Sequence, residues 1–288
     1  MKINVKRVNA FTDKIDGGNP AGVLFNSPQL TNSQMAFITK ELKVSETAFV
    51  YPSNKADYKI RFFSPDIEVD LCGHATISTF YTMALENRLN KNSIKMETIA
   101  GILPIDIEYN PDGDIKKVMM TQAKPVLKDI FLDISFIADS LNISPEEINQ
   151  KMPLQKVSTG LFTLPVCIKS YDVLKNMKPD FKKIKKICKE NGFGSYHVFT
   201  FETSEPKSLY HARNFAPLYA IDEDPVTGTA NGAVCSYLVK NGVIEQGSFV
   251  CEQGDITGRK GRVFVEIKNE KVRVGGIAKI VEEKEIEI

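Results

Sequence analysis

Two short segments that begin with glycine carry the clearest signal for chemistry in this sequence. Gly73–Thr76 and Gly228–Asn231 each open a predicted helix with mostly small residues. The first turn of a helix presents backbone N–H groups that have no partner within the helix, at the positive end of the helix dipole. Because glycine lets an anion approach these groups closely, two such ends at one cleft would suit a small carboxylate. Close helix packing also uses Gly and Ala and is the structural alternative.

Two titratable side chains lie in this part of the sequence. His74 stands at a helix start, where the dipole is expected to lower its pKa and keep the imidazole neutral. Glu46 precedes a predicted strand, among mainly apolar or small residues, so desolvation is expected to raise its pKa and make it a general acid/base near neutral pH. The structural alternatives are a surface histidine and a strand glutamate paired with lysine.

Three further positions could bind a substrate. The consecutive acids Asp222–Asp224 precede Pro225, where they could cap a helix or orient a substrate amine or hydroxyl. Asn19 lies in a glycine-rich loop and could contact substrate, although a plain turn would explain the loop nearly as well. Arg259, in a second glycine-rich loop, is a possible carboxylate clamp.

Cys72 offers a different chemistry beside the first helix start. A thiol next to a helix N-terminus is expected to have a lowered pKa and to be reactive. The matching place in the second half of the chain carries Asp224–Val226, with no cysteine. A racemase that uses two opposed thiols would therefore lack its second acid/base.

Composition excludes several classes of protein. The 288 residues suggest about two domains, and 37 basic against 36 acidic side chains, a net charge of +1, do not indicate a nucleic-acid or membrane-surface binder. The five cysteines include no C-x-x-C pair and the three histidines no H-x-x-x-H spacing, which argues against disulfides and a metal site. The chain shows no signal peptide and no membrane-spanning run, so the cytoplasm is the expected location.

The elements that must position these residues are mostly strands, with two unusual helices. Ala75–Leu85 and Thr229–Val239 contain no charged residue, which predicts buried helices. Each follows an R-x-F-[S/A]-P motif and an acidic stretch, with the motifs at Arg61–Pro65 and Arg213–Pro217. This repetition predicts an α+β fold of two similar domains, each a twisted, barrel-like β-sheet wrapped around a buried central helix.

Domain bounds and helix ends follow from local signals. A boundary near Gln122–Pro125 gives an N-terminal domain of residues 1–121 and a C-terminal domain of residues 122–275, with the two helix starts facing across a cleft. Thr31 and Gln34 form a capping box, and Ser144–Glu147 places proline and acids in the first turn of another predicted helix. Phe181–Asn191 is predicted as an amphipathic, lysine-rich helix.

Ordered motifs along essentially the whole chain carry a family resemblance. They are Val8–Thr12, Gly18–Val23, Ser45–Phe49, Arg61–Pro65, Leu71–Thr76, Glu223–Ala230, Gln253–Gly254, Gly258–Arg259 and Gly275–Ala278. With these motifs the chain resembles the PhzF-like phenazine-biosynthesis isomerases, within the diaminopimelate-epimerase-like superfamily. The resemblance implies a homodimer, an active site between the two domains, and a last strand, residues 276–288, that returns to the first domain.

The resemblance also implies a mechanism and roles for particular residues. Members of the family isomerise a cyclic dihydro-hydroxyanthranilate by a proton shift, without cofactor or metal. By motif, Glu46 would move the proton, His74 and Asp224 would hold polar groups of the substrate, and Gly73 and Gly228–Thr229 would bind its carboxylate through backbone amides. Family members often carry Ser where this chain has Thr229, which alters the shape of the substrate pocket and leaves the chemistry unchanged.

The leading hypothesis is a cofactor-independent isomerase of a small cyclic or amino-acid-like carboxylic acid, with no nucleic-acid or membrane partner. Phenazine synthesis is one possible biosynthetic pathway among others. Two alternatives stay open: an amino-acid racemase or epimerase that uses Cys72, and a non-catalytic small-molecule-binding protein that keeps the fold and cleft.

Overall fold

Strands dominate the chain and fall into two units, each of which is described by itself. The computed structural model describes residues 1–27 and 29–288. The first unit comprises residues 1–121 and 275–288, and the second comprises residues 122–274. The α+β class predicted from the sequence is confirmed, since each unit combines a sheet with a few helices.

The described residues form eighteen strands and six α-helices. The strands are β1 (Lys2–Ala10), β2 (Asn19–Leu24), β3 (Glu46–Tyr51), β4 (Tyr58–Phe63), β5 (Glu68–Val69), β6 (Ser93–Thr98), β7 (Gly101–Tyr109), β8 (Ile115–Thr121), β9 (Val126–Asp129), β10 (Gln155–Ser158), β11 (Phe162–Cys167), β12 (Ser195–Thr200), β13 (Tyr210–Ala216), β14 (Ile221–Asp224), β15 (Gly247–Gln253), β16 (Gly261–Lys268), β17 (Lys271–Gly276) and β18 (Ala278–Glu287). The α-helices are α1 (Asn32–Leu42), α2 (Gly73–Leu85), α3 (Ile134–Leu141), α4 (Tyr171–Asn176), α5 (Phe181–Asn191) and α6 (Gly228–Lys240), and short 3₁₀ turns lie at Pro145–Glu147 and Pro217–Tyr219.

In the first unit the strands pair in the order β18-β1-β2-β3-β4-β6-β7-β8. The pairs β2–β3 and β4–β6 are parallel, and the other neighbours are antiparallel. The short strand β5 pairs with the end of β4. Helix α2 packs against β1, β2, β3, β7, β8 and β18, so this sheet surrounds it on several sides.

The second unit repeats this succession of pairings. Its order is β9-β10-β11-β12-β13-β15-β16, with β11–β12 and β13–β15 parallel, and the short β14 pairs with β13. Helix α6 packs against β10, β11, β12 and β16. The strands β1–β7 therefore correspond to β10–β16 and α2 corresponds to α6, which confirms the predicted repeat of a sheet around a central helix.

The repeated arginine motif builds the same ion pair in both units. Arg61 of β4 donates from Nε and Nη2 to the two carboxylate oxygens of Glu68, at 2.7 and 2.6 Å. Arg213 of β13 donates in the same manner to Glu223, at 2.9 and 2.8 Å. Each fork-shaped pair ties the short strand after the motif, β5 or β14, back to the preceding strand. Each short strand leads directly to the start of a central helix.

The buried central helices satisfy their polar side chains locally. Thr76, Thr79 and Thr82 in α2 are fully buried, and their hydroxyls donate to the carbonyls four residues earlier at 2.7–2.8 Å. A charged side chain could not be satisfied within its own helix in this way, which explains why the central helices lack charges in their interiors. The prediction of two buried helices is confirmed.

The local helix signals had mixed outcomes. The Thr31–Gln34 capping box is present at the start of α1, and the lysine-rich helix over Phe181–Asn191 has the predicted bounds. The helix predicted after Ser144 is wrong in extent, because only a 3₁₀ turn forms at Pro145–Glu147. The chain then turns to pair with β11, where the N–H of Asn149 donates to the carbonyl of Cys167 at 2.8 Å. Among the described helices, none has the length and apolar character needed to cross a membrane.

Candidate active site

Glu46, Cys72 and His74 come together in the first unit. Glu46 is the first residue of β3, where it pairs with Ala21 of the parallel strand β2. Cys72 is the N-cap residue of α2, and His74 is the second residue of that helix. The sheet holds the start of β3 beside the start of α2, so residues distant in sequence become neighbours.

The distances define a compact group of three reactive side chains. Oε2 of Glu46 lies 3.2 Å from Nε2 of His74 and 3.8 Å from Sγ of Cys72. Sγ of Cys72 lies 3.4 Å from Nδ1 of His74 and 3.7 Å from its Nε2. Oγ of Ser45 is 3.3 Å from Nε2 of His74. The side chains of Glu46 and His74 keep 16% and 12% of their surface exposed, so both are mostly buried but retain some contact with solvent.

Electrostatics in this group differ from the expectation for isolated residues. Burial acts to raise the pKa of Glu46, but the hydrogen bond and charge of His74 outweigh it and hold the pKa below the ordinary value of 4.5. Burial acts to lower the pKa of His74, but Cys72 and Glu46 together hold it well above 6.5. The predicted neutral histidine and the predicted raised glutamate pKa are both wrong, because each group meets the other as its counter-charge.

The thiol also departs from its predicted state. Burial raises the pKa of Cys72 above the ordinary value of 9.0, although the charge of His74 acts to lower it. Only 7% of the residue is exposed, and the Glu46 carboxylate beside it disfavours a thiolate. The predicted low-pKa thiol at the helix start is therefore wrong, since desolvation exceeds the effect of the dipole.

A second polar group surrounds Asp224 in the second unit. Oγ1 of Thr227 donates to Oδ2 of Asp224 at 2.5 Å, and the Gln253 side chain donates to the carbonyl of Asp224 at 2.9 Å. The Oε1 atom of Gln253 accepts from the Thr227 N–H at 3.0 Å and from the Asn231 amide at 2.9 Å. Gln253 is 1% exposed, so it is a rigid link between the end of β14 and the start of α6.

The three consecutive acids have separate environments. Asp222 is exposed and Glu223 is engaged by Arg213, whereas Asp224 is half-buried beside the start of α6. This arrangement distinguishes Asp224 from Asp222 as the acid held near the helix start.

The starts of both central helices lack a capping side-chain oxygen. Cys72 and Thr227 are the two N-cap residues: in the described chain the Thr227 hydroxyl accepts no hydrogen bond from the first turn of α6, whereas the Cys72 sulfur faces the N–H of Ala75 in the first turn of α2. The backbone amides that follow, including those of Gly73, Gly228 and Thr229, lie in the first turn, where a helix offers no internal acceptor. An anion is a suitable partner for such amides.

Asn19 and Arg259 lie at ordered turns. Asn19 is buried at the start of β2, after Gly18, whose φ is +63°. A Cβ on Gly18 would lie 2.0 Å from the carbonyl oxygen of Ala10, so only glycine fits here. The N–H of Arg259 donates to the carbonyl of Gly254 at 2.8 Å and closes the second glycine-rich turn. Their contact with a substrate stays a prediction.

Sequence reasoning did not assign roles to Ser45, Thr227 or Gln253. Ser45 directly precedes Glu46, and Gln253 stands in one of the motifs that carry the family resemblance. These two neighbourhoods are the sequence signals that could have identified both residues. Thr227 occupies the position that corresponds to Cys72, one residue before a helix that begins with glycine, so the match of Cys72 with Asp224–Val226 expected from the sequence is wrong.

Strand register shows that the two units do not repeat the reactive group. Thr47 pairs with Phe63 in the first unit, and Tyr196 pairs with Phe215 in the second, so Glu46 corresponds to Ser195. Helix starts at Gly73 and Gly228 make His74 correspond to Thr229. The carboxylate, imidazole and thiol of the first unit are therefore matched by hydroxyl groups in the second.

The duplicated arrangement of a β-sheet around a central helix defines the class of this chain, an α+β protein of two similar units. Residues 8–284 match the family model PhzC-PhzF, described as phenazine biosynthesis-like protein. The chain belongs to this family, which confirms the resemblance found in the sequence.

Relatives support the same assignment. The chain is 37% identical over 278 residues to an uncharacterized isomerase, YfhB, of Bacillus subtilis, covering 96% of this chain and 93% of the relative. It is 32% identical over 292 residues to the uncharacterized isomerase YddE of Escherichia coli K12, covering 98% of this chain and 97% of the relative. These relationships identify the protein as an isomerase.

Solved structures agree with the fold. A PhzF-family phenazine biosynthesis protein from Bacillus anthracis is 34% identical, covers all of both chains and superposes with a TM-score of 0.92. A hydroxyproline epimerase from Agrobacterium vitis, 12% identical with a TM-score of 0.62, covers 99% of this chain and 91% of the epimerase and shares the fold alone.

Proposed function

We propose that this isomerase shifts a proton within a small cyclic or amino-acid-like carboxylic acid without a cofactor, and that Glu46 is the group that moves the proton. The observation that carries the proposal is the 3.2 Å contact between Oε2 of Glu46 and Nε2 of His74, at an accessible helix start. The lowered pKa of Glu46 keeps its carboxylate ionised at neutral pH, so Glu46 begins the reaction as a base.

His74 has a supporting role in this mechanism. Its raised pKa keeps the imidazole protonated beside the carboxylate of Glu46. When Glu46 takes the proton from carbon, the imidazolium is left with a neutral partner and can donate to negative charge that develops on the substrate. Returning the proton restores the ion pair. General acid/base groups of this kind contribute about 10²–10⁴-fold to rate.

A single base is consistent with the asymmetry of the duplication. Ser195 corresponds to Glu46 and Thr227 to Cys72, so the second unit offers no matching acid/base. One carboxylate above a planar conjugated ring can serve two carbon atoms on the same face. Exclusion of water would let it return the proton that it removed.

The other residues singled out by the sequence motifs are proposed to bind the substrate. The first-turn N–H groups of Gly73, Gly228 and Thr229 would donate hydrogen bonds to its carboxylate, since they lie at positive helix ends. Asp224, held by Thr227, would bind an amine or hydroxyl. Asn19 would contact the substrate from the start of β2.

The test measures isomerisation and deuterium incorporation together. Small cyclic and amino-acid-like carboxylic acids are incubated with the enzyme in D₂O and followed by NMR, so that both internal return and exchange of the proton are detected. Glu46→Gln should abolish both signals. Glu41→Gln, at an exposed position on α1, is the matched control and should leave them unchanged. Undiminished turnover by Glu46→Gln would refute the proposal.

An amino-acid racemase that uses Cys72 is the second candidate, favoured by the 3.4 Å contact between Sγ of Cys72 and Nδ1 of His74. Loss of turnover after alkylation of Cys72, with Glu46→Gln still active, would support this alternative. Absence of proton exchange in every bound ligand would instead favour a non-catalytic binding protein.

The family resemblance also supports a homodimer and a cytoplasmic location. Light scattering of the purified protein tests the first proposal, and cell fractionation tests the second. A monomer in light scattering would contradict the homodimer. Recovery of the protein outside the cytoplasmic fraction would contradict the cytoplasmic location.

A further inference from the structure

The group formed by Glu46, Cys72 and His74 is also a set of metal ligands. It offers a carboxylate oxygen, a sulfur and an imidazole nitrogen, and these atoms lie within 4.8 Å of one another. Sulfur and imidazole nitrogen together are typical ligands of Zn²⁺ and of similar thiophilic cations. Such a donor set is distinct from a cluster of surface carboxylates, since one ligand is buried and all three are held by defined elements.

The separations match the edges of a tetrahedral site. A tetrahedral Zn²⁺ with ligand distances of about 2.0–2.3 Å places its ligand atoms roughly 3.3–3.8 Å apart. The observed separations are 3.2 Å from Glu46 Oε2 to His74 Nε2, 3.7 Å from His74 Nε2 to Cys72 Sγ, and 3.8 Å from Cys72 Sγ to Glu46 Oε2. A cation could bind all three atoms with little movement and keep a fourth position for water.

We propose that Glu46, Cys72 and His74 bind a thiophilic divalent cation such as Zn²⁺, and that the bound cation blocks the proton transfer. Binding forms metal bonds to the three side chains, while the thiol and imidazolium protons pass to solvent. The ionised carboxylate and thiolate then balance the charge of Zn²⁺. The positive end of α2 disfavours a bare cation but stabilises the thiolate ligand.

Inhibition follows from shared atoms and rests on the proposed function. The same Glu46 oxygen that would accept the substrate proton would be bonded to the cation. The proposed metal is therefore an inhibitor of this site and has no part in the reaction. The histidine and cysteine spacing in the sequence argued against a metal site, but that reasoning could not include Glu46, which lies 26 residues from Cys72.

Binding can be tested without substrate. The purified full-length protein is titrated with Zn²⁺ in competition with a colorimetric chelator, and in parallel with Co²⁺ to detect a thiolate-to-cobalt charge-transfer band. We expect one cation per chain and a clear thiolate band. Cys72→Ser should weaken Zn²⁺ binding by more than about 100-fold, since loss of supporting residues alone costs about 10–100-fold at metal sites.

Matched variants separate this site from other thiols. Cys167→Ser removes a buried thiol of the second unit and should bind Zn²⁺ like the unmodified protein. His74→Asn and Glu46→Gln should each weaken binding. Unchanged affinity in Cys72→Ser, or absence of the thiolate band in the unmodified protein, would overturn the proposed site. The cobalt spectrum decides the matter even if Cys72→Ser fails to fold.

Inhibition is measured separately from binding. Stoichiometric Zn²⁺ should stop proton transfer by the unmodified protein, and EDTA should restore it. Full turnover with the cation bound would overturn the inhibitory role. If no carboxylic acid is turned over by the metal-free protein, the proposed function fails, whereas the chelator titration still decides the metal site.

Discussion

Oε2 of Glu46 and Nε2 of His74 lie 3.2 Å apart, and their pKa values move in opposite directions from the ordinary ones. Burial opposes ionisation of both groups, yet His74 keeps Glu46 ionised, and Cys72 together with Glu46 keeps His74 protonated. The resting site therefore holds a carboxylate and an imidazolium. This pairing is the basis for the first prediction.

His74→Asn should raise the pKa of Glu46, because burial stays while the compensating charge is lost. Ionised Glu46 contributes to the free energy of unfolding above pH 4.5, and this contribution is lost as the pH falls through the lowered pKa that Glu46 has in the folded protein. Protonated His74 contributes to the free energy of unfolding below pH 6.5, and this contribution is lost as the pH rises through the raised pKa that His74 has in the folded protein. Carboxyl carbon NMR of Glu46 across this range checks the prediction, and an unshifted titration in His74→Asn would contradict it.

Cys72 should react slowly with iodoacetamide at neutral pH. Its pKa is raised mainly by burial, and alkylation requires the thiolate. Mass spectrometry of the native and urea-unfolded protein should show modification of Cys72 that is much faster after unfolding. In Cys72→Ser the modified peptide should be missing from the mass spectrum, which assigns that peptide to Cys72. Rapid modification of the native protein would indicate an accessible thiolate and would favour the racemase alternative.

The two equivalent arginine ion pairs should differ in their contribution to stability. Arg213 is 9% exposed and, besides Glu223, it donates to the carbonyls of Leu174 and Met177. Arg213→Met leaves these buried acceptors unpaired and should reduce the free energy of unfolding by about 3–5 kcal/mol. Urea denaturation followed by circular dichroism measures the loss.

Arg61 provides the matched comparison, since its side chain is 26% exposed and water can replace part of its hydrogen bonding. Arg61→Met should reduce the free energy of unfolding by only about 1–3 kcal/mol. Arg213→Lys retains the charge but loses the two-pronged geometry, so we expect partial rescue. Equal losses at the two positions would show that burial of the pair does not determine its contribution.

Glu252 should contribute to acid sensitivity. Burial acts to raise its pKa, but the His211 ring at 2.9 Å and the donors of Ser204 and Glu205 hold the pKa below 4.5. The ionised carboxylate contributes to the free energy of unfolding above pH 4.5, and this contribution is lost as the pH falls towards the lowered pKa of Glu252 in the folded protein. Urea unfolding between neutral pH and pH 3 should therefore show a steep decline in the unmodified protein.

Glu252→Gln should reduce the free energy of unfolding at neutral pH by about 3 kcal/mol and flatten its decline below pH 4.5. Glu285→Gln, an exposed partner of Lys2, is the control and should leave the decline unchanged. An equally steep decline in Glu252→Gln would assign the acid sensitivity to other carboxylates.

Much of the fold was predictable because it depends on patterns within short segments. Helices without charge, such as α2 and α6, must be buried, and the two arginine motifs indicated repetition. The helix expected after Ser144 was not predictable in extent, because Ile148 pairs with Ile168, directly after β11, and this pairing competes with helix continuation. Local propensity contains no information about that strand partner.

The sequence by itself determined the family, the buried helices and the residue types available for proton transfer. Only the tertiary structure decided their ionisation: the expected pKa directions of Glu46, His74 and Cys72 all reversed. The physical reason is that the dipole acts on each residue by itself, whereas the pKa of Glu46 is set by His74, that of His74 by Cys72 and Glu46 together, and that of Cys72 by burial. The starts of β3 and α2 meet only after the sheet has formed, and their meeting also creates the ligand set proposed to bind a cation.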